Sequence, residues 1–167
     1  MKANGFFIFF CLYLLEQKQT KMYEFIQKFH SGWAYLALLL LVVALVNSAL
    51  GLTSKKEFTA RDRKIALFAL IATHIQLVLG LILYFISEKG FKLFGTAGAS
   101  EVMKNAAYRL TAVEHPVINI IAIVLITIGW SKHKRTAESN AKFKSITVFY
   151  ALGLVLLLSR IPWSLWF

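Results

Sequence analysis

"IALFALIATHIQLVLGLILYFI", residues 65–86, runs for twenty-two residues without one Asp, Glu, Lys or Arg. A helix over that stretch is ~33 Å long at 1.5 Å per residue, enough to cross the ~30 Å hydrocarbon core of a bilayer. Three further runs are nearly as apolar: Trp33 to Leu52 with no charged residue, Leu110 to Trp130 with only Glu114, and Ile146 to Ile161 with only Arg160. In hydrocarbon every backbone donor must find its acceptor within the segment, so all four are expected to be helices. The whole chain agrees, with 58% hydrophobic and only 16% charged residues in 167. A soluble domain of that size has no core large enough to hide so much apolar surface. The connections are short, so neighbouring helices should run antiparallel. These observations predict an all-α membrane protein, an antiparallel four-transmembrane-helix bundle formed by residues 22–167.

Formal net charge is +11, a value that in a soluble chain points to nucleic acid. Here the cations sit between the apolar runs, which ties them to topology and anionic lipid instead. Two loops, 53–64 and 131–145, carry ten of them: Lys55, Lys56, Arg61, Arg63, Lys64, Lys132, Lys134, Arg135, Lys142 and Lys144. The segment Ser87 to Arg109 carries four. By the positive-inside rule the ten-cation face is cytoplasmic and both termini lie outside. Gly90, Gly95 and Gly98 predict an irregular turn across the outer face. Residues 1–21 read as a signal-like segment or as an extension preceding a start at Met22. Their apolar core, Phe6 to Leu15, is about half the length of a span and no small-x-small cleavage site follows it. Cys11 is the single cysteine, so no intrachain disulfide or multi-cysteine metal site can form.

Ionisable residues inside a span cost at least ~2.5 kcal/mol each on insertion scales, so each needs a reason. "TAVEHPVINI", residues 111–120, places Glu114, His115 and Pro116 in succession. Helical geometry puts Thr111, His115, Asn119 and Ala122 on one face and turns Glu114 away by about 100°. Pro116 lacks an N–H and clashes with the carbonyl four residues back, so a kink or a freed carbonyl is expected. Glu114 either pairs with Arg160 or Arg109 as a structural device, or orients a partner of a metal-binding His115. His74 and Gln76 either bond to neighbouring helices or, for His74, ligate a metal or haem. His30 is an interfacial histidine or a ligand, with Gly32 able to admit a planar group against the backbone. Arg160 snorkels or neutralises a propionate. His133, in a polar loop, is expected to be a solvated base. Depths counted from the cytoplasmic ends of the runs are ~13 Å for His74, ~22 Å for His115 and ~33 Å for His30. Adjacent pairs differ by about 9 to 11 Å, so spacing does not support two axial ligands on one iron.

The segments "HSGWAYLALLLL", "TARDRKIALFALIATHIQLVLGLILYF", "YRLTAVEHPVINIIAIVLITIGWSKHKR" and "SRIPWSLWF" resemble a family of small four-helix membrane proteins of Bacteroidetes-type bacteria, often labelled "cytochrome B". The resemblance covers nearly everything after Met22, with "AVEHP" and "IPW" the most specific pieces. It implies haem b held between helices by His30, His74 and His115, in the bacterial inner membrane. Two departures stand out: family members read "HSxLRW" where this chain has "HSGWAY", and relatives carry Asp at the position of His74.

Three function classes follow. The first is a b-type cytochrome exchanging electrons with quinol or a membrane redox partner, with Arg160 or Arg109 near the propionates. The second is a cofactor-free scaffold or accessory subunit whose histidines and Glu114 specify packing. The third handles protons or a metal ion through Glu114 and the histidines. No hydrolase triad, phosphate loop, dinucleotide fingerprint or zinc-protease motif occurs, so a carrier or subunit is expected over a stand-alone enzyme.

Overall fold

A computed structural model describes residues 3–165, with side chains described for 17, 18 and 20–164. Four long helices dominate: α1 (Ala3–Thr53), α2 (Ala60–Ile86), α6 (His115–Lys134) and α7 (Ser139–Ser159). Between α2 and α6 lie the short helices α3 (Leu93–Thr96), α4 (Ala99–Lys104) and α5 (Ala106–Arg109), then a π-helical turn (Leu110–Glu114). No strand occurs among the described residues. The helices contact one another in a ring, α1 on α2, α2 on α6, α6 on α7 and α7 back on α1. This is an antiparallel four-helix bundle, and four of its helical segments are long and apolar enough to span a membrane. Large apolar side chains such as Leu39, Phe68, Val78, Phe85, Val124 and Val155 are exposed on its outside. Only a hydrocarbon solvent makes such a surface stable, because a soluble bundle turns polar residues outward.

The core is tightest in the half nearer the basic loops. Leu41, Ala44, Ala66, Ala69, Ile126, Trp130, Ile146 and Tyr150 form one buried cluster. The Tyr150 hydroxyl crosses the bundle to donate to the Ala66 carbonyl at 2.9 Å. Helices α6 and α7 approach closely where glycine replaces a side chain, as small residues allow in membrane bundles. A Cβ at Gly153 would lie 2.5 Å from Ile126 Cγ1 and 3.2 Å from the Ala122 carbonyl oxygen. Gly153→Val should therefore destabilise the bundle by about 1–3 kcal/mol through overpacking. Thermal unfolding in detergent measures the effect, and an unchanged midpoint would contradict this packing.

At the basic end, Thr59 caps α2 and shares a reciprocal capping box with Asp62. Asp62 is buried and also accepts from Asn47 of α1 at 2.9 Å and Lys56 at 2.8 Å. One carboxylate thus locks the α1–α2 corner.

Residues 3–21 continue α1 without a break at Met22, in a helix of 51 residues that is ~76 Å long and far exceeds the hydrocarbon thickness. The side chains of Phe6 to Leu15, Cys11 included, lie outside the described residues. The Ser87–Arg109 segment turns irregularly at 87–92 and again at 97–98, where Gly98 has φ +82°, and also carries three short helices. His133 is not a solvated base: it is 2% exposed, against Trp130 at 4.4 Å and Phe58 at 5.6 Å between ring centres. Helix α6 runs four residues beyond Trp130, which carries His133 into the bundle end, where Phe58 from the α1–α2 loop covers it.

Candidate functional site: a histidine-lined cavity

In the half away from the basic loops the four helices line a cavity of about 210 Å³. Helix α1 contributes His30, Ser31, Ala34 and Ala37, and α2 contributes Thr73, Gln76, Gly80 and Tyr84. The π-helical turn and α6 bring Thr111, His115 and Asn119, and α7 and its exit close the wall with Leu157 and Ile161. The face expected from spacing, Thr111, His115 and Asn119, does turn inward.

His30 and His115 meet there, with ring centres 6.4 Å apart and planes at 79°. The Nδ1 of His115 lies 2.8 Å from the Arg160 carbonyl oxygen. A carbonyl can only accept, so Nδ1 carries the proton and Nε2 keeps its lone pair. The Asn119 amide nitrogen is 3.0 Å from that Nε2. Across the cavity the Gln76 amide donates to the His30 carbonyl at 3.0 Å and lies 3.3 and 3.4 Å from the two ring nitrogens of His30. Its oxygen, Oε1, is buried with no hydrogen-bond partner among the described residues.

The other candidate residues stand outside this pair. His74 does not line the cavity: its Nδ1 donates to the Leu70 carbonyl at 2.7 Å and its Nε2 lies 3.3 Å from Thr127 Oγ1. Two residues of helix separate it from Gln76, a turn of ~200°, so only one of the two can face the cavity. Glu114 also points elsewhere, bound by Arg109 Nε at 2.8 Å and Arg160 Nε at 3.2 Å. The carboxylate holds both arginines, and the Arg160 backbone in turn orients His115. Arg109, Glu114 and Arg160 are each about a third to a half exposed, so these pairs contribute only modestly. Glu114→Gln should accordingly lower stability by about 1 kcal/mol, read as a small fall in the detergent unfolding midpoint.

Pro116 answers to a specific partner. It offers no N–H to the Ala112 carbonyl, and the Tyr84 hydroxyl donates to that oxygen at 3.2 Å. The π-helical turn immediately before it, closed by the His115 N–H to the Leu110 carbonyl, is the local distortion expected beside such a proline.

Close approach falls at Gly80, not Gly32. A Cβ at Gly80 would lie 3.1 Å from His30 Cε1, whereas one at Gly32 would meet nothing within 4 Å. Gly80 and Tyr84 were not singled out by the sequence reading. The available signal was their spacing, because Gln76, Gly80 and Tyr84 follow at i, i+4 and i+8 along one face of α2. Among the described residues no group of three or more His, Cys, Asp or Glu gathers as a metal-ligand set. The chain matches no protein-family model, no curated protein and no solved structure.

Proposed function

We propose that this protein is a membrane electron carrier that would hold haem b between α1 and α6 through His30 and His115. The distance between the two rings carries the reading. Two imidazoles sharing one metal, each nitrogen about 2.0–2.1 Å from it, place their ring centres about 6 Å apart. The rings here are 6.4 Å apart. His115 has the environment of a ligand, because its other nitrogen donates to a backbone carbonyl and so fixes the tautomer. A bare ion needs three or four protein ligands, whereas an iron already held by a macrocycle needs only two. Small residues Ala34, Ala37 and Gly80 leave the cavity wall without bulk beside the histidines. Bound there, haem b supplies one-electron redox chemistry, its potential set by the axial ligands, burial and hydrogen bonding.

The ten-cation face lies in the cytoplasm of a bacterium on this reading, with the site in the outer half of the inner membrane. Quinol or a membrane redox protein is the electron partner. The unpartnered Oε1 of Gln76 suits the hydroxyl of a quinol.

A second reading, a cofactor-free scaffold, draws on two observations. The cavity of about 210 Å³ is smaller than the ~300–1,000 Å³ of ordinary ligand pockets. The Gln76 and Asn119 amides also lie within hydrogen-bonding reach of both rings. An absorption spectrum separates the two. Protein purified after expression with ample haem should show a Soret band and, after dithionite reduction, a sharpened α band. Protein without either band under those conditions supports the scaffold.

A further inference from the structure

A second pocket, of about 400 Å³, opens at the opposite end of the bundle. Arg63 of α2, Lys134 of α6 and Lys142 of α7 converge on it, and Thr136 and His133 complete the polar lining. No carboxylate lines it among the described residues, and none of the three cations forms an ion pair there. The nearby carboxylate of Asp62 is spent on Asn47, Lys56 and Thr59. Aromatic faces hold the cations in place: Arg63 and Lys134 lie 6.0 and 5.7 Å from the Trp130 ring, and Lys142 lies 5.7 Å from Phe58. Three converging positive charges repel one another unless an anion sits among them.

Two further features shape the pocket. His133, 2% exposed, contributes a polar ring whose Nδ1 has no hydrogen-bond partner among the described residues. Thr59 and Ala60 bring the first turn of the 27-residue α2 to the rim, the positive end of a long helix dipole. We propose that this pocket binds a phosphoryl anion, carried either by the headgroup of an anionic lipid or by a free phosphate. The site lies at the level where the apolar helices end, on the face with most cations, which is where anionic headgroups meet a membrane protein.

The full chain in non-ionic detergent is titrated calorimetrically with dihexanoylphosphatidylglycerol and, separately, with sodium phosphate. Dioctanoylglycerol and sodium chloride are the matched blanks. Saturable binding of the lipid alone identifies the headgroup as the ligand, and binding of inorganic phosphate identifies the free anion; either supports the site. The double variant R63Q/K142Q should weaken that binding about thirtyfold. K55Q/K144Q, which removes the same charge from the same face outside the pocket, should change it less than about threefold. Far-ultraviolet circular dichroism confirms that both variants are folded. Binding no tighter than the blanks, or equal losses in the two double variants, overturns the proposal.

Discussion

Alanine at either His30 or His115 is expected to remove the Soret band of the haem-loaded protein, while alanine at His74 or His133 leaves it. The contrast follows from placement. His30 and His115 share one cavity with ring centres 6.4 Å apart. His74 is committed to Leu70 and Thr127, and His133 sits at the far end against Trp130 and Phe58. Loss of an outer-shell partner of a metal ligand typically lowers affinity 10–100-fold, so loss of the ligand itself should exceed about 100-fold. Added imidazole should restore part of the band in His30→Ala and His115→Ala if the remaining pocket is intact. Loss of the band in His74→Ala with the protein still folded would move the site to α2 and contradict this assignment. Asn119→Ala, which removes only the amide beside Nε2, should shift the band position without abolishing it.

Asp62→Ala should be among the most destabilising single changes in the bundle, lowering unfolding free energy by about 3 kcal/mol. The carboxylate accepts from Asn47, Lys56, the Thr59 backbone and the Thr59 hydroxyl, all within 3 Å. The ion pair itself is a minor part, because Lys56 is 44% exposed. Most of the loss comes from the missing carboxylate half of the capping box and from the Asn47 and Thr59 donors left without this acceptor. Asp62→Asn keeps one acceptor oxygen and should lose roughly half as much. Thermal unfolding in detergent reads both. Equal midpoints for wild type and Asp62→Ala would show that the corner between α1 and α2 is held by apolar packing alone.

The spans were legible because hydrocarbon leaves a sequence little choice: four apolar runs of sufficient length became four helices, several of which extend beyond the runs into the flanking polar residues. The freed carbonyl at Pro116 was legible too, since it follows from local chemistry. Its acceptor role for Tyr84 was not, because that bond joins residues 28 apart in sequence. Depth failed for a related reason. Counting from Trp130 placed His115 about 11 Å from the level of His30, yet α6 continues for four more residues, ~6 Å of helix. His133 was misjudged because a polar neighbourhood in sequence says nothing of Phe58, which arrives from another loop. The double arginine grip on Glu114 was half visible: each arginine was a candidate, and the structure uses both.

Everything assigned to the cavity depends on His30 and His115 meeting inside the bundle at one depth. Cysteine pairs test this directly in a Cys11→Ser background within native membranes. H30C/H115C should cross-link within minutes under a bis-methanethiosulfonate whose spacer is long enough to replace the two imidazoles, giving a product that reducing agent reverses. H74C/H115C, treated identically, should stay uncross-linked. Rapid cross-linking of the second pair with none in the first would contradict the account.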